Sequence, residues 1–506
     1  NIMYKIFHGF HLVEAYQDLK KAKRLAKNQT VARCIKLTIA ITLSLILWFL
    51  PIDTFGIEGL TVIEQRLISI FIFATLMWVF EAVPAWTTSV LIVVLLLLTV
   101  SDSSLWFLTQ NTPAEELGQT VKYKSILHCF ADPIIMLFIG GFILAIAATK
   151  SGLDVLLARV MLRPFGTQSR YVLLGFILVT AVFSMFLSNT ATAAMMLTFL
   201  TPVLKALPAD GKGKIGLAMA IPVAANVGGM GTPIGTPPNA IALKYLNDPE
   251  GLNLNIGFGE WMSFMLPYTI IVLFIAWFIL LRLFPFKQKS IELQIEGEAK
   301  KDWRSIVVYI TFAITVLLWM FDKFTGVNSN VVAMIPVAVF CITGVITKRD
   351  LEEISWSVLW MVAGGFALGV ALQETGLAKH MIEAIPFSTW PPVLMIVGSG
   401  LICYAMANFI SHTATAALLV PILAIAGISM RENLSSLGGV ETLLIGVAIG
   451  SSLAMILPIS TPPNALAHAT GMIQQKDMEK VGIIMGIIGI LLGYTMLIIL
   501  GSNKLL

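Results

Sequence analysis

Two segments of nearly identical sequence decide the fold: SNTATAA at 188–194 and SHTATAA at 411–417. Each lies in the middle of a long stretch without Asp, Glu, Lys or Arg, at 171–204 and at 391–428. A straight helix of the first stretch would be roughly 50 Å long, whereas the hydrocarbon core of a membrane is about 30 Å thick. We therefore expect both stretches to fold back as re-entrant helical hairpins with polar tips.

The composition of the 506-residue chain is that of a membrane protein, because 57% of residues are apolar and only 12% are charged. This excludes soluble enzymes, and the net charge of +4 gives little support for a nucleic-acid partner. We predict an all-α polytopic protein with eleven transmembrane helices besides the two hairpins. The expected spans lie near residues 35–51, 66–80, 88–100, 133–149, 215–246, 263–281, 305–321, 331–346, 355–371, 440–471 and 481–500.

Basic residues set the expected orientation, because short cytoplasmic loops are enriched in Lys and Arg. Residues 1–34 predict a cytoplasmic amphipathic segment, although a solvated helical extension fits the same pattern. Eleven crossings then place the C-terminus outside. We expect no removable signal peptide, since the first apolar run begins only at about residue 35. The basic residues before that span are Lys20, Lys21, Lys23, Arg24, Lys27, Arg33 and Lys36.

Four motifs recur after 223 to 225 residues, which indicates an internal repeat. Two of them are the hairpin segments and the TPPNA sequences at 236–240 and 461–465. The GGF motifs at 140–142 and 364–366 fall on predicted spans five crossings apart, so the two copies face opposite ways. Inverted repeats are typical of secondary transporters, which bind their substrates near the midplane. The fourth pair of motifs is SGL at 151–153 and TGL at 375–377.

The TPPNA motifs lie in the segments GMGTPIGTPPNA (229–240) and LPISTPPNA (457–465), each inside an apolar run. Gly and Pro at this density predict a break in the helix. Carbonyls freed by such a break, beside Thr and Asn side chains, would form an oxygen cage for a hard cation. The alternative is a proline kink that only shapes packing.

The hairpin tips predict anion binding, because a helix that begins within the membrane presents unpaired N–H groups and a positive dipole end. Helix capping alone is the other reading. The ranges 171–204, 215–243, 384–430 and 442–475 contain no Lys or Arg. The charge of a bound anion must therefore be balanced by dipoles and by cations that bind with it, which predicts cation coupling.

His412 is the one side chain of the second hairpin stretch that ordinarily titrates near neutral pH, and it is either functional or a neutral capping residue. An intramembrane hydrolase built on Ser411 and His412 is disfavoured, since adjacent residues rarely reach the hydrogen-bond geometry of nucleophilic catalysis.

No zinc or P-loop motif is present in the sequence. The cysteines, which form no CxxC pair, are predicted to be packing residues: Cys34, Cys129, Cys341 and Cys403.

The chain from about residue 35 onward resembles the divalent anion/sodium symporter family, the carriers of di- and tricarboxylates and sulfate. The resemblance rests on SNT at 188–190, GTPIGTPPN at 231–239 and the segment 451–467. In that last segment Met455 and Ala467 replace the usual Phe and Val. The resemblance implies a homodimer whose transport domain moves in an elevator mechanism. The implied scaffold is 35–130 and 263–354, and the implied transport domain is 131–262 and 355–506.

The resemblance also implies the binding residues. Substrate ligands would be Ser188, Asn189, Thr190, Ser411, His412, Thr413, Thr236, Pro237, Thr461 and Pro462. A first sodium ion would bind at Ser184, Asn189, Gly231 and Gly235, and a second at Thr461 and Asn464. His412 departs from the family, in which sodium-coupled members commonly have Asn. Because an imidazole nitrogen is a poor ligand for Na⁺, sodium-independent exchange remains open.

The sequence therefore predicts a carrier in a membrane of the inner-membrane type that imports C4 dicarboxylates such as succinate, malate or fumarate together with Na⁺. The alternatives are a dicarboxylate exchanger, a citrate or sulfate carrier of the same family, and an anion channel. The predicted partners are the substrate anion, sodium ions, lipid and a second copy of the chain.

Overall fold

A computed structural model describes residues 30–80, 82–207, 211–249, 251–291, 300–384, 389–458 and 460–503. Within these ranges the regular elements are helical, and β contacts are limited to isolated bridges of Ser101 with Val121 and of Gln168 with Ser290. The predicted all-α class is confirmed for this part of the chain. The predicted amphipathic segment lies almost wholly outside the described residues.

The helices of eight or more residues carry the labels used below. They are α1 (Thr30–Phe49), α2 (Val62–Phe80), α3 (Ala85–Thr99), α4 (Pro133–Ser151), α5 (Leu153–Leu162), α6 (Ser169–Phe186), α7 (Asn189–Ala206), α8 (Gly213–Gly229), α9 (Pro237–Leu246), α10 (Phe258–Leu283), α11 (Trp303–Met320), α12 (Met334–Ile342), α13 (Trp356–Glu374), α14 (Leu377–Ala384), α15 (Ser399–Ala407), α16 (His412–Ser429), α17 (Gly439–Ser452), α18 (Pro462–Ala469) and α19 (Gln475–Ser502). Shorter helical turns are Ile52–Phe55, Trp106–Leu108, Ala114–Leu117, Tyr123–His128, Cys129–Ala131, Arg163–Phe165, Asp322–Thr325, Ser329–Val332, Lys348–Glu352, Leu394–Gly398, Arg431–Leu434 and Ser435–Leu437.

Nine helices of the described ranges are long and apolar enough to cross a membrane, or ten if the bent pair 431–437 and 439–452 is one span. This supports a multi-pass membrane protein. The predicted third span corresponds to α3, which has only 15 residues, and the eighth to the short apolar helix Ser329–Ile342. The fifth and tenth spans are each divided into two helices. The count of eleven spans therefore stays a prediction.

Both long uncharged stretches break at their polar tips. Helix α6 ends at Phe186 and α7 begins at Asn189, while α15 ends at Ala407 and α16 begins at His412. The segment Leu394–Gly398 leads into α15 as a π-helical turn. The sequence thus predicted the positions of both breaks, and the re-entrant depth of the hairpins stays a prediction.

The order of the elements recurs in the two halves, and so does their packing. Helix α8 packs against α6, α7 and α10, and its counterpart α17 packs against α15, α16 and α19. The helices that begin with the TPPNA motifs each pack against helices of the opposite half of the chain. Helix α9 packs against α16 and α17, whereas α18 packs against α7 and α8. Each half therefore supplies the helix that covers the other half's hairpin.

Outward-facing apolar stripes distinguish the peripheral helices from the central ones. On α11 the side chains of Ile306, Ile310 and Ile314 are 47–55% exposed and lie four residues apart, on one helix face. Such a face is suited to lipid. Cys129 and Cys403 are buried, as predicted. The packing prediction is wrong for Cys34 and Cys341, which are exposed because they lie on outward faces of their helices.

Candidate substrate and ion site

The two hairpin tips have the same capping geometry. Ser188 has an extended backbone, and its Oγ accepts a hydrogen bond of 3.2 Å from the N–H of Ala191. Ser411 makes the equivalent bond of 3.2 Å with the N–H of Ala414. The serines thus satisfy one N–H group of each new helix, and other N–H groups of the first turn remain available to an anion.

The tips differ in exposure although their sequences are almost the same. Thr190 is exposed, whereas the equivalent Thr413 is only 6% exposed and His412 only 8%. The first tip is therefore open to its surroundings in this conformation, and the second is covered by neighbouring helices.

The segment between α8 and α9 is held together by one buried amide. Asn239 Nδ2 lies 3.2 Å from Gly229 O, 3.3 Å from Met230 O and 2.8 Å from Thr232 O. Thr232 Oγ1 donates to Met185 O and accepts from Gly235 N. The predicted break is confirmed, and Asn239 satisfies carbonyls that the helix no longer pairs.

The break between α17 and α18 uses the equivalent amide. Asn464 Nδ2 lies 2.9 Å from Met455 O and 3.1 Å from Leu457 O. Thr461 Oγ1 caps α18 by accepting from Asn464 N at 3.2 Å. The Asn of each TPPNA motif is therefore required by the turn itself, so the repeat of this motif has a structural cause in both halves.

Oxygen atoms converge where the first tip meets the first break. Ser184 Oγ lies 2.6 Å from Asn189 Oδ1 and 2.7 Å from Ala225 O, and it can donate to only one of them at a time. A Cβ atom on Gly229 would lie 2.7 Å from Asn189 Oδ1 and 3.0 Å from Gly235 O, so glycine is needed at this close approach. We call Ser184, Asn189, Gly229 and Gly235 the first oxygen cluster.

The first oxygen cluster contains three of the four residues predicted for the first sodium ion. The fourth, Gly231, lies against Met185 instead, since a Cβ atom there would be 3.0 Å from Met185 Cε. Hydroxyl, amide and carbonyl oxygens are the ligands that hard cations prefer. The cluster has no charged side chain of its own.

The residues predicted for the second sodium ion face the first half of the chain. Thr461 Oγ1 and Asn464 Oδ1 lie 3.3 Å and 3.2 Å from Asn226 Nδ2. Nearby, His412 Nε2 lies 2.7 Å from Ala454 O, and Ala454 is the repeat equivalent of Gly229. The His412 side chain therefore occupies the place that corresponds to Asn189 in the first half.

Among the remaining predicted ligands, Thr236 and Thr461 are the N-cap residues of α9 and α18, and Pro237 and Pro462 are the first helical residues. Thr236 is 1% exposed and Thr461 4% exposed, so both lie inside the protein.

Sequence reasoning missed two buried amides. Asn226 lies one turn before the first break. Asn408 Oδ1 accepts from Ile456 N at 2.8 Å and supports the second break. Both are uncharged residues in apolar runs, and the signal that was overlooked is a lone Asn next to a glycine-rich or hairpin segment.

A cavity of about 1180 Å³ reaches the first break, where Pro233 lines it. Its wall also holds Lys244, the first cation after the uncharged range 215–243. Lys244 is paired with Asp132 and lies 4.4 Å from the ring centre of Phe366. Neither hairpin tip lines this cavity. Because the ammonium group already faces a carboxylate, it does not supply a fixed positive charge to the tips.

The family described as "Sodium:sulfate symporter transmembrane region" matches residues 31–503. The chain belongs to this family. It is the divalent anion/sodium symporter family that the motifs resemble, so that prediction is confirmed.

Two curated relatives of this chain are transporters. An uncharacterized transporter of Haemophilus influenzae is 33% identical over 396 residues, which cover 74% of this chain and 83% of that protein. The sodium-dependent dicarboxylate transporter SdcS of Staphylococcus aureus strain USA300 is 29% identical over 471 residues, covering 84% and 85%. The prediction that the protein is a transporter and not an enzyme is confirmed by these relatives.

A solved transporter structure shares the fold of this chain. The YdaH transporter of Alcanivorax borkumensis aligns with a TM-score of 0.56 over 83% of this chain and 99% of that chain, at 13% identity. At this identity the likeness concerns the fold alone.

Proposed function

We propose that this protein imports C4 dicarboxylates such as succinate, malate and fumarate together with Na⁺. The observation that carries the proposal is the first oxygen cluster, in which Ser184 Oγ and Asn189 Oδ1 lie 2.6 Å apart beside the helix break. This group of neutral oxygens adjoins a helix N-terminus, so a cation and a carboxylate can bind side by side. The sodium-dependent dicarboxylate transporter among its relatives supports the same function.

The anion is held by the two tips in this proposal. Backbone N–H groups and the positive dipole ends of α7 and α16 attract carboxylates, and Ser188, Thr190, Ser411 and Thr413 donate from their hydroxyls. Two helix N-termini suit an anion with two carboxylates. Citrate and sulfate carriers of the family would use the same donors, so the choice of a C4 dicarboxylate rests on the relative.

The cation is required by charge balance. The uncharged ranges around both tips contain no Lys or Arg, and Lys244 is neutralised by Asp132. Without a counter-charge, the loss of hydration would make the binding of a dianion at this place strongly unfavourable. Na⁺ at the first oxygen cluster provides that charge, which links anion binding to the sodium gradient.

An elevator movement of a homodimer is part of the proposal. The implied boundary between transport domain and scaffold separates Glu260 from Lys323, whose charged atoms lie 2.7 Å apart. The carboxylate of Asp322 also accepts a buried hydrogen bond of 2.6 Å from the N–H of Phe258, the first residue of α10. The Glu260–Lys323 pair is partly exposed and can exchange with water, whereas the Phe258–Asp322 bond fixes the start of α10, a helix that continues into the implied scaffold as far as Leu283.

A sodium-independent exchanger is the second candidate, and His412 is the observation that favours it. Its imidazole occupies the place that corresponds to Asn189, so the second site lacks the amide oxygen of the first. A protonated imidazole would replace a cation's charge directly.

Uptake of radiolabelled succinate into proteoliposomes tests the proposal. An inward Na⁺ gradient should stimulate uptake into vesicles without internal succinate, and an equal K⁺ gradient should not. Uptake that needs trapped internal succinate and ignores Na⁺ would establish the exchanger instead. Succinate flux that neither saturates nor shows counterflow would indicate a channel.

A further inference from the structure

The side chain of Asn226 contacts residues of the other half of the chain. The residue belongs to α8, which leads into the first break, yet its Nδ2 contacts Thr461 Oγ1 at 3.3 Å and Asn464 Oδ1 at 3.2 Å in the second break. Asn226 is 1% exposed. A buried amide therefore joins the two broken segments directly.

The orientation of this amide is fixed by its neighbours. Asn464 directs its Nδ2 toward the carbonyls of Met455 and Leu457, so the atom that it presents to Asn226 is Oδ1. A carbonyl oxygen only accepts, and Asn226 must therefore present its Nδ2. Asn226 Oδ1 then points elsewhere, and it has no hydrogen-bond partner within the described part of the chain.

The connection continues into the first oxygen cluster through the preceding residue. Ala225 O lies 2.7 Å from Ser184 Oγ, which in turn lies 2.6 Å from Asn189 Oδ1. Two consecutive residues of α8 thus contact the first cluster on one side and the second break on the other.

We propose that Asn226 is a positioning residue that couples the two cation sites; this inference rests on the proposed sodium-coupled function. A cation at Thr461 and Asn464 must share their oxygens with Asn226 Nδ2, so its binding fixes this part of α8. The carbonyl of Ala225 and the hydroxyl of Ser184 are then held in place before the first cluster is filled. Binding at one site lowers the entropy loss of ordering the other site, which produces positive cooperativity.

The repeat supplies a matched control at the equivalent position, Ser451. Its Oγ donates to Val447 O at 2.9 Å and lies 2.9 Å from Cys403 Sγ. Both partners belong to the second half of the chain. Ser451→Ala therefore removes a buried polar group at the matching place without touching the connection between the halves.

The test is a titration of the purified protein with NaCl at constant temperature and ionic strength, balanced with choline chloride, while its intrinsic tryptophan fluorescence is followed; Trp261 donates to Met230 O beside the first break. We expect the wild type and Ser451→Ala to respond to Na⁺ with a Hill coefficient clearly above 1. Asn226→Leu, which has a similar volume, should respond with a Hill coefficient of 1 and with a half-saturating Na⁺ concentration about 5- to 150-fold higher. Melting in choline alone verifies that each variant is folded.

A wild-type Hill coefficient in Asn226→Leu would overturn the inference, and so would a coefficient of 1 in the wild type. In both cases the proposed function would stand, because Na⁺ still binds. A wild type that ignores Na⁺ would contradict the proposed function and the inference together. If Asn226→Leu does not fold, Asn226→Ala removes the same amide donor without adding bulk and should also lower the Hill coefficient.

Discussion

The imidazole Nε2 of His412 lies 2.7 Å from the carbonyl oxygen of Ala454. Since a carbonyl only accepts hydrogen bonds, Nε2 carries a hydrogen in this arrangement. In the first half Asn189 lies beside Gly229, the equivalent of Ala454, and it presents an oxygen to its surroundings. The two halves thus place an amide and an imidazole in corresponding positions.

His412→Asn should strengthen the dependence of transport on Na⁺, because it restores an amide oxygen at the second tip. We expect the half-saturating Na⁺ concentration for succinate uptake to fall about 5-fold, the equivalent of about 1 kcal/mol for one added ligand. The measurement is Na⁺-dependent uptake at several pH values. Identical sodium dependence and identical pH profiles in both proteins would show that His412 takes no part in coupling.

Asn189→Ala should abolish the stimulation by Na⁺, because it deletes an oxygen of the first cluster. Loss of a buried ligand costs on the order of 1 to 3 kcal/mol, or about 5- to 150-fold in apparent Na⁺ affinity. Thr198→Ala is the control on the same helix, since the exposed Thr198 hydroxyl donates to Ala194 O within that helix. Unchanged sodium dependence in folded Asn189→Ala would remove this residue from the ion site.

Gly229→Ala should also abolish the response to Na⁺, although it removes no ligand. The added methyl group would lie 2.7 Å from Asn189 Oδ1 and would force the cluster apart. Gly141→Ala is the matched control, because its methyl group would meet only Ile234 Cδ1 at 3.6 Å. Sodium-dependent melting of both variants checks this prediction, and a normal response in Gly229→Ala would contradict the position of the cluster.

Single cysteines at Thr190 and Thr413 should report the elevator movement. Thr190 is exposed and Thr413 is 6% exposed, so a membrane-impermeant thiol reagent should label Thr190→Cys and spare Thr413→Cys in this conformation. The opposite conformation should reverse the pattern, from the other side of the membrane. Substrate should protect the reactive cysteine. Simultaneous labelling of one position from both sides would instead indicate a channel.

The positions of the hairpin tips and helix breaks could be predicted because their causes are local. A 34-residue uncharged stretch is too long for one crossing, and two prolines next to glycines cannot continue a helix. The contact of Asn226 with Thr461 and Asn464 could not be predicted in this way, because it depends on which half covers which break. The exposure of Thr190 and the burial of Thr413 likewise depend on tertiary packing.

The crossed packing of α9 on α16 and of α18 on α7 also constrains biosynthesis. Helix α9 leaves the ribosome well before α16, and at about 5–20 residues per second that delay is roughly 10–30 s. Throughout that interval α9 lacks the helices against which it finally packs. We therefore expect that each half expressed alone lacks the helix that packs on its hairpin, and that the two halves produced together as separate polypeptides reassemble.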